Sequence, residues 1–189
     1  MIPVEVPDEP QYFEAEVRTP GSAWLTANPD AERPHPFWSV CLPELKQAFS
    51  HRCAYAAMLD PTGGTIDHYL SYKNHRALTY EWSNYRYASA AMNASKKTAD
   101  DAVLDPYEIE AGWFEILLPS LQMRVTDQVP EQHRARAHYT LQRLKLRDGE
   151  RVIGWRKAWY DLYLEGKMTL EGLRDVAPLI AAAIERNAT

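Results

Sequence analysis

The spacing of apolar residues divides the chain into an irregular start, a mixed middle and a helical end. Residues 1–36 hold seven of the thirteen prolines. Because each proline fixes its own φ and lacks an amide donor, this stretch is predicted to be an extended or turned arm, with helical spacing only over residues 12–18. In residues 37–51, Leu42, Leu45 and Phe49 recur on one side of a predicted amphipathic helix that starts or bends near Pro43.

The middle of the chain has the least helical spacing. After a Gly63-Gly64 break, TIDHYL and LTYEW are rich in β-branched and aromatic residues, which predicts a strand, a loop and a returning strand. An alanine-rich run follows, and it predicts a helix capped by Ser83. Residues 53–97 are therefore predicted to form strand, strand and helix. WFEILL, ended by Pro119, predicts one or two more strands.

The remaining residues have helical spacing. Helices are predicted near 130–146, 149–165 and 168–186, the last capped by Thr169 and kinked at Pro178. With 189 residues, of which 46% are hydrophobic, the chain is long enough for one sizeable core. We therefore expect an α+β fold in a mostly helical single domain. Its expected parts are the arm (1–36), a core with a leading helix (37–128) and a C-terminal helical segment packed on that core (129–189).

Charge limits the partners that the whole surface can attract. The net charge is −5, so a nucleic-acid surface must be local. Residues 131–157 carry eight Lys or Arg against three acids. This segment is the candidate for such a surface. Its part from Arg134 to Arg147 can be a solvated helix face, a DNA-binding surface or a partner surface, and the first interpretation is favoured.

Cysteine content and the start of the chain bear on location. Two cysteines, Cys41 and Cys53, are too few for a disulfide scaffold, so reduced thiols are expected. MIPVEVPDEP has neither the basic nor the apolar region of a secretion signal, and no run of eighteen apolar residues occurs. A soluble cytoplasmic protein without a membrane partner is expected.

Four short motifs in the middle of the chain carry chemistry. In order, they are Cys53-Ala-Tyr-Ala, Ile66-Asp67-His68, Tyr80-Glu-Trp-Ser-Asn84 and Met92-Asn-Ala-Ser-Lys96. Together they resemble the HNH endonuclease family over residues 50–97. The resemblance implies a ββα-metal core and hydrolysis of phosphodiester bonds, with DNA preferred to RNA as the expected substrate. On its own, Asp67-His68 is typical of a hydrogen-bonded turn.

The resemblance also implies roles for individual residues. His68 would be the general base, since a neutral imidazole can take a proton from water near neutral pH. Asp67 and Asn93 would hold one Mg²⁺ or Mn²⁺ ion, because carboxylate and amide oxygens are hard ligands. Asn84 would orient the histidine-bearing loop. Adjacent strand residues point to opposite faces, so Asp67 and His68 can share a site only where the strand bends or ends.

The sequence departs from the family at its zinc site. Only Cys53 of four thiolates is kept, and Ala56, Ser89 and Met92 stand at the other positions. Four-coordinate zinc cannot be built from one thiolate, so no structural zinc is expected and apolar packing is predicted instead.

Further expectations concern partners. Arg86, Lys96, Lys97 and His75 are candidates for contact with a nucleic-acid backbone, and solvated surface charges are the alternative. A looser resemblance to small HNH proteins of prokaryotic defence and retron-type operons implies an antiviral role beside a partner ATPase. The rival hypothesis is a non-catalytic subunit that keeps the fold to bind nucleic acid or a partner.

Overall fold

Two small antiparallel β-sheets lie among helices in the computed structural model, which describes residues 1–188. The α-helices within these residues are α1 (Thr19–Ala27), α2 (Leu42–Ala48), α3 (Ala90–Lys96), α4 (Glu131–Arg143), α5 (Glu150–Leu164), α6 (Leu170–Val176) and α7 (Pro178–Ala188). The strands are β1 (Thr65–His68), β2 (Tyr85–Ala88), β3 (Phe114–Leu117) and β4 (Gln122–Val125). The fold is an α+β single domain, as predicted. None of the helices in residues 1–188 has the length and apolar character needed to cross a membrane.

The first sheet pairs β1 with β2 and is followed at once by α3. Asp67 lies opposite Arg86, and His68 lies opposite Tyr85. Helix α3 then contacts β1. The predicted order of strand, strand and helix is therefore present. β1 ends at His68, so the regular strand stops where the expected site needs it to stop.

The returning strand and its helix begin later than predicted. Pairing with β1 falls on Tyr85–Ala88 rather than on LTYEW, and Ser83 lies in a short 3-10 turn. The helix cap is Ser89, whose hydroxyl accepts a hydrogen bond from the Met92 amide at 3.3 Å. Both serines suit a cap, and the pairing of β2 decides between them because the helix cannot start before the strand ends.

Part of the predicted extended arm is helical. A π-helical turn, Glu14–Arg18, leads directly into α1. Pro20 lies in the first turn of α1, where a missing amide donor is tolerated. Phe13 and Val17 are buried in the core. The helical spacing predicted over residues 12–18 is confirmed for residues 14–18, and the prediction of an extended arm is wrong for residues 19–27.

The C-terminal helices match the predicted ones except for the last. Thr169 caps α6 as predicted, since its hydroxyl accepts a hydrogen bond from the Gly172 amide at 3.0 Å. Pro178, predicted to kink one helix, instead begins a new one after α6 ends at Val176. A proline at a first helical position loses no hydrogen bond, whereas inside a helix it would.

One continuous hydrophobic core joins these parts. Cys53, Ala56 and Met92, three of the positions that would hold zinc ligands, are buried in it. The C-terminal helices reach this segment, because the Leu59 amide donates to the Val176 carbonyl at 2.7 Å. Apolar packing surrounds these positions, and Cys41 and Cys53 are free thiols.

Arg86 is part of this interior rather than of the surface. Its side chain donates to both carboxylate oxygens of Asp105, at 2.6 and 2.5 Å, and lies 3.7 Å from the centre of the Tyr107 ring. Only 3% of Arg86 is exposed. The prediction that Arg86 contacts a nucleic-acid backbone is therefore wrong, because a buried guanidinium that holds β2 to Asp105 cannot reach a phosphate.

The buried Arg86–Asp105 pair should contribute more to stability than an exposed one. Replacing Arg86 by Met leaves the Asp105 carboxylate without its cation, so Arg86→Met should lower the free energy of unfolding by about 3–5 kcal/mol in urea denaturation. Arg124, which pairs with Glu115 on the surface, offers the matched control. Arg124→Met should cost at most about 1 kcal/mol. Equal losses in the two variants would contradict this assignment.

Candidate functional site

A cavity of about 600 Å³ opens beside β1 and α3. Asp67, His68 and Asn93, which the sequence predicts to act together, all line it. Its lining also includes Arg33, Trp38, Tyr72, Lys73 and Lys97. The fold thus brings the predicted base and the predicted metal ligands to one opening.

The imidazole of His68 is held in one tautomer. Its Nε2 lies 2.8 Å from the Thr79 carbonyl oxygen, which also accepts from the Tyr85 hydroxyl at 2.8 Å. A carbonyl oxygen only accepts, so Nε2 carries the proton and Nδ1 has the free lone pair. Burial lowers the pKa of His68 to about 4, and the imidazole is therefore neutral at neutral pH. Nδ1 forms no hydrogen bond within residues 1–188.

Aromatic rings surround this imidazole on several sides. The ring centres of Trp38, Tyr72 and Tyr85 lie 4.6, 5.4 and 5.0 Å from that of His68, each in an edge-to-face arrangement. Such pairs stabilise a fixed ring orientation. His68 is 7% exposed, and it lies on the wall of the cavity. The imidazole is consequently rigid and shielded from bulk water.

Asn84 holds the loop that follows His68. Its side-chain oxygen accepts from the Leu70 amide at 2.8 Å, and its Nδ2 donates to the carbonyls of Leu70 and Leu78 at 2.9 and 3.1 Å. Leu78 precedes Thr79, the acceptor for His68. Asn84 therefore lies where a loop-orienting residue is predicted, and it acts on His68 only through the backbone.

Asp67 is a buried carboxylate with both oxygens hydrogen-bonded. Oδ2 accepts from the Tyr55 hydroxyl at 2.6 Å, and Oδ1 accepts from the Lys96 ammonium at 3.1 Å. Burial raises the pKa of Asp67, while the Lys96 ammonium and the Tyr55 hydroxyl act in the opposite direction. The pair leaves little net charge at this wall of the cavity.

Lys96 is an interior residue, contrary to its predicted contact with nucleic acid. It is 0% exposed, and its ammonium also donates to the His68 carbonyl at 2.8 Å. A lysine that is this deeply buried needs a counter-ion, and Asp67 supplies it. The prediction for Lys96 is wrong because its ammonium points inward and joins α3 to β1.

The donors present suit one hard cation. Asn93 donates from Nδ2 to the Ile66 carbonyl at 3.3 Å, which leaves its amide oxygen for another partner. Each Asp67 oxygen has a second lone pair beyond its one hydrogen bond. Mg²⁺ usually takes only one or two carboxylates and keeps several waters. Asp67 and Asn93 fit that pattern, although no group of three or more His, Cys, Asp or Glu among residues 1–188 could hold a metal.

The two remaining predicted contacts lie at the surface. Lys97 is exposed on the wall of the cavity at the end of α3. His75 lies in the loop that Asn84 holds, with Nε2 3.6 Å from Asp100. Contact of either residue with nucleic acid stays a prediction.

Several residues of the site gave little signal in the sequence. Tyr55 lies inside the Cys53-Ala-Tyr motif, so the motif could have suggested its hydrogen bond to Asp67. Trp38 and Thr79 come from segments outside the four motifs. Their contributions depend on tertiary contacts with His68, which no local pattern encodes.

The buried Lys96–Asp67 pair can be tested by a double-mutant cycle. Lys96→Met strands a buried carboxylate and should lower the free energy of unfolding by about 3–5 kcal/mol. Adding Asp67→Asn removes that charge. In urea denaturation, the loss of unfolding free energy in the double variant should therefore be about 1–3 kcal/mol smaller than the sum of the losses in the two single variants. The exposed Lys97→Met should change stability by less than about 0.5 kcal/mol. Additive losses would contradict the pairing.

Comparisons with protein-family models, with curated proteins and with solved structures returned no match to this chain.

Proposed function

We propose that this chain is a metal-assisted endonuclease that hydrolyses phosphodiester bonds of nucleic acid, with DNA as the first substrate to test and His68 as the general base. The state of His68 supports this proposal most strongly. Its imidazole is neutral, its Nε2–H is fixed on Thr79, and its Nδ1 lone pair is unused beside a cavity lined by hard oxygen donors and exposed cations. A hydrogen-bonded turn pair needs none of these features.

The reaction would start with a water in the cavity near Nδ1 of His68. Nδ1 would take a proton as the water oxygen attacks phosphorus, and the Thr79 carbonyl would stabilise the imidazolium through Nε2–H. The phosphate itself favours this step, because its negative charge raises the proton affinity of the nearby imidazole. The P–O bond to the 3′ oxygen then breaks, that oxygen takes a proton from solvent water, and the imidazolium later returns its proton to solvent, which leaves a 3′-hydroxyl and a 5′-phosphate.

Positive charge must balance the phosphate during this step. Mg²⁺ or Mn²⁺, held by Asp67 and Asn93, would neutralise charge that develops on the phosphate and the leaving oxygen. Lys97, exposed on the cavity wall, would attract the phosphate. Tyr55 and Lys96 would hold the Asp67 carboxylate in place through their hydrogen bonds.

The Lys96–Asp67 pair also favours a second candidate function. A buried ammonium already balances the Asp67 carboxylate, and this lowers the attraction of the site for a divalent ion. The chain would then bind nucleic acid or a partner without cutting. Control by a partner ATPase and an antiviral role stay predictions under either function.

The role of His68 can be tested by plasmid nicking in Mg²⁺ or Mn²⁺. His68→Asn keeps a polar side chain but removes the basic nitrogen, so the rate should fall by about 10²–10⁴-fold. The same change at His51, an exposed residue with positive φ that asparagine tolerates, is the matched control and should leave the rate unchanged. Equal rates for His68→Asn and the unmodified chain would overturn the assignment.

Metal binding separates the two candidate functions. Asn93→Ala removes one proposed ligand from a half-buried position and should weaken Mn²⁺ binding in calorimetry by about tenfold or more. Asn187→Ala, which removes an exposed amide from α7, should not change it. No Mn²⁺ binding by the unmodified chain, together with no nicking, would favour the non-catalytic subunit.

A further inference from the structure

Two further grooves continue the cavity of the candidate site. One, of about 360 Å³, lies between α3 and the start of α5, and it shares Ala94 with the site cavity. The other, of about 590 Å³, lies between the β3–β4 hairpin and α4, and it shares Lys145 with the second groove. The three openings therefore adjoin one another in a row that ends at His68.

Exposed cations line this row from end to end. They are Arg33, Lys73 and Lys97 in the site cavity, Arg151 and Lys145 in the middle groove, and Arg147 and Arg124 in the last groove. Of these, Arg124 is paired with Glu115. The acids among the lining residues are Asp67, Glu150 and Asp148. Asp67 is buried and paired with Lys96, so its charge is already balanced. The row, which we call the basic track, carries local positive charge on a protein whose net charge is −5.

Apart from Arg124, the cations of the basic track differ from the other exposed cations in their partners. Within residues 1–188, the side chains of Arg33, Lys73, Lys97, Lys145 and Arg151 form no hydrogen bond or ion pair. Arg147 approaches Asp148 only at 3.9 Å. Elsewhere, exposed cations have acidic partners, as Lys157 has with Asp161, Lys167 with Glu165 and Arg174 with Glu185.

This arrangement fits a polyanion. In a chain with 26 acids and 21 Lys or Arg, a surface cation readily finds an intramolecular acid. A row of cations without such partners keeps its charge available, and phosphates spaced along a backbone can neutralise several at once with release of counter-ions. At the site end, the half-buried rings of Trp38 and Tyr72 stack on each other with centres 6.1 Å apart, which suits contact with a nucleobase.

We propose that a nucleic-acid strand binds along the basic track, with its backbone crossing α3 between the β3–β4 hairpin and the candidate site. The direction of the track rests on the proposed function, because that function places the scissile phosphate beside His68. Lys145, Arg147 and Arg151 come from the basic segment 131–157, whose interpretation the sequence left open. Arg136, Arg143 and Arg156 of the same segment bond instead to protein groups.

The test is binding of fluorescein-labelled oligonucleotides, single-stranded and duplex, measured by fluorescence anisotropy on the whole chain in EDTA. Lengths of roughly 20 nucleotides exceed the usual footprint of one small binding surface. The triple variant Lys145→Gln, Arg147→Gln and Arg151→Gln should bind on the order of tenfold more weakly. For the single strand, the plot of log affinity against log salt concentration should also become less steep, with a slope smaller in magnitude by about 2.

The control removes equal charge away from the basic track. Lys157→Gln, Lys167→Gln and Arg174→Gln are exposed on α5, after α5 and on α6, and together should change affinity by less than about twofold. Unchanged affinity and salt slope in the Lys145 triple variant would overturn the proposal. An equal loss of affinity in the control variant would also overturn it, because net charge alone would then explain the binding. Absence of binding by the unmodified chain at low salt would overturn it as well.

The outcome is separable from that of the proposed function. Track-dependent binding without nicking in Mg²⁺ or Mn²⁺ would retain the basic track and reject the nuclease. Nicking that is abolished by His68→Asn but accompanied by unchanged binding in the Lys145 triple variant would retain the nuclease and reject the track.

Discussion

The site depends on one buried ion pair. The Lys96 ammonium lies between the Asp67 carboxylate and the His68 carbonyl, and so it ties the last turn of α3 to the end of β1. Burying a single charge is very unfavourable, but burying two that neutralise each other and fill their remaining hydrogen-bonding positions is tolerated. Tyr55 supplies the other hydrogen bond to Asp67. The pair fixes where strand and helix meet, and the cavity opens beside that junction.

The histidine next to this pair is held by a different means. Asn84 bonds to the backbone at both ends of the loop, which sets the Thr79 carbonyl, and Thr79 then sets the tautomer of His68. Rings from distant segments restrict the orientation of the imidazole. A neutral imidazole with one fixed nitrogen and one free nitrogen requires a rigid backbone acceptor, and a solvated loop does not provide one.

Cationic side chains differ in their pairing between the interior and the surface of the protein. Inside, Lys96 and Arg86 are paired with acids and stabilise the fold. Outside, five cations of the basic track (Arg33, Lys73, Lys97, Lys145 and Arg151) lack such partners, while Lys157, Lys167 and Arg174 have them. The acidic net charge would repel a polyanion from most of the protein. A local row of free cations would confine binding to the grooves that lead to His68.

The sequence by itself determined the elements and the residue types of the site. The spacing of hydrophobic residues predicted the positions of α2, α4 and α5 closely. The order of the motifs indicated strand, strand and helix, with Asp67, His68 and Asn93 near one another. The elements follow from local rules, in which spacing decides which side chains share a face, whereas the resemblance to HNH endonucleases implied that Asp67, His68 and Asn93 share a site. Tertiary structure decided the rest. It chose Ser89 over Ser83 as the cap through strand pairing, and it turned Arg86 and Lys96 inward because their acids stand 19 and 29 residues away along the chain. A charged residue is expected at the surface until a partner is known, and only the fold brings the partner to it.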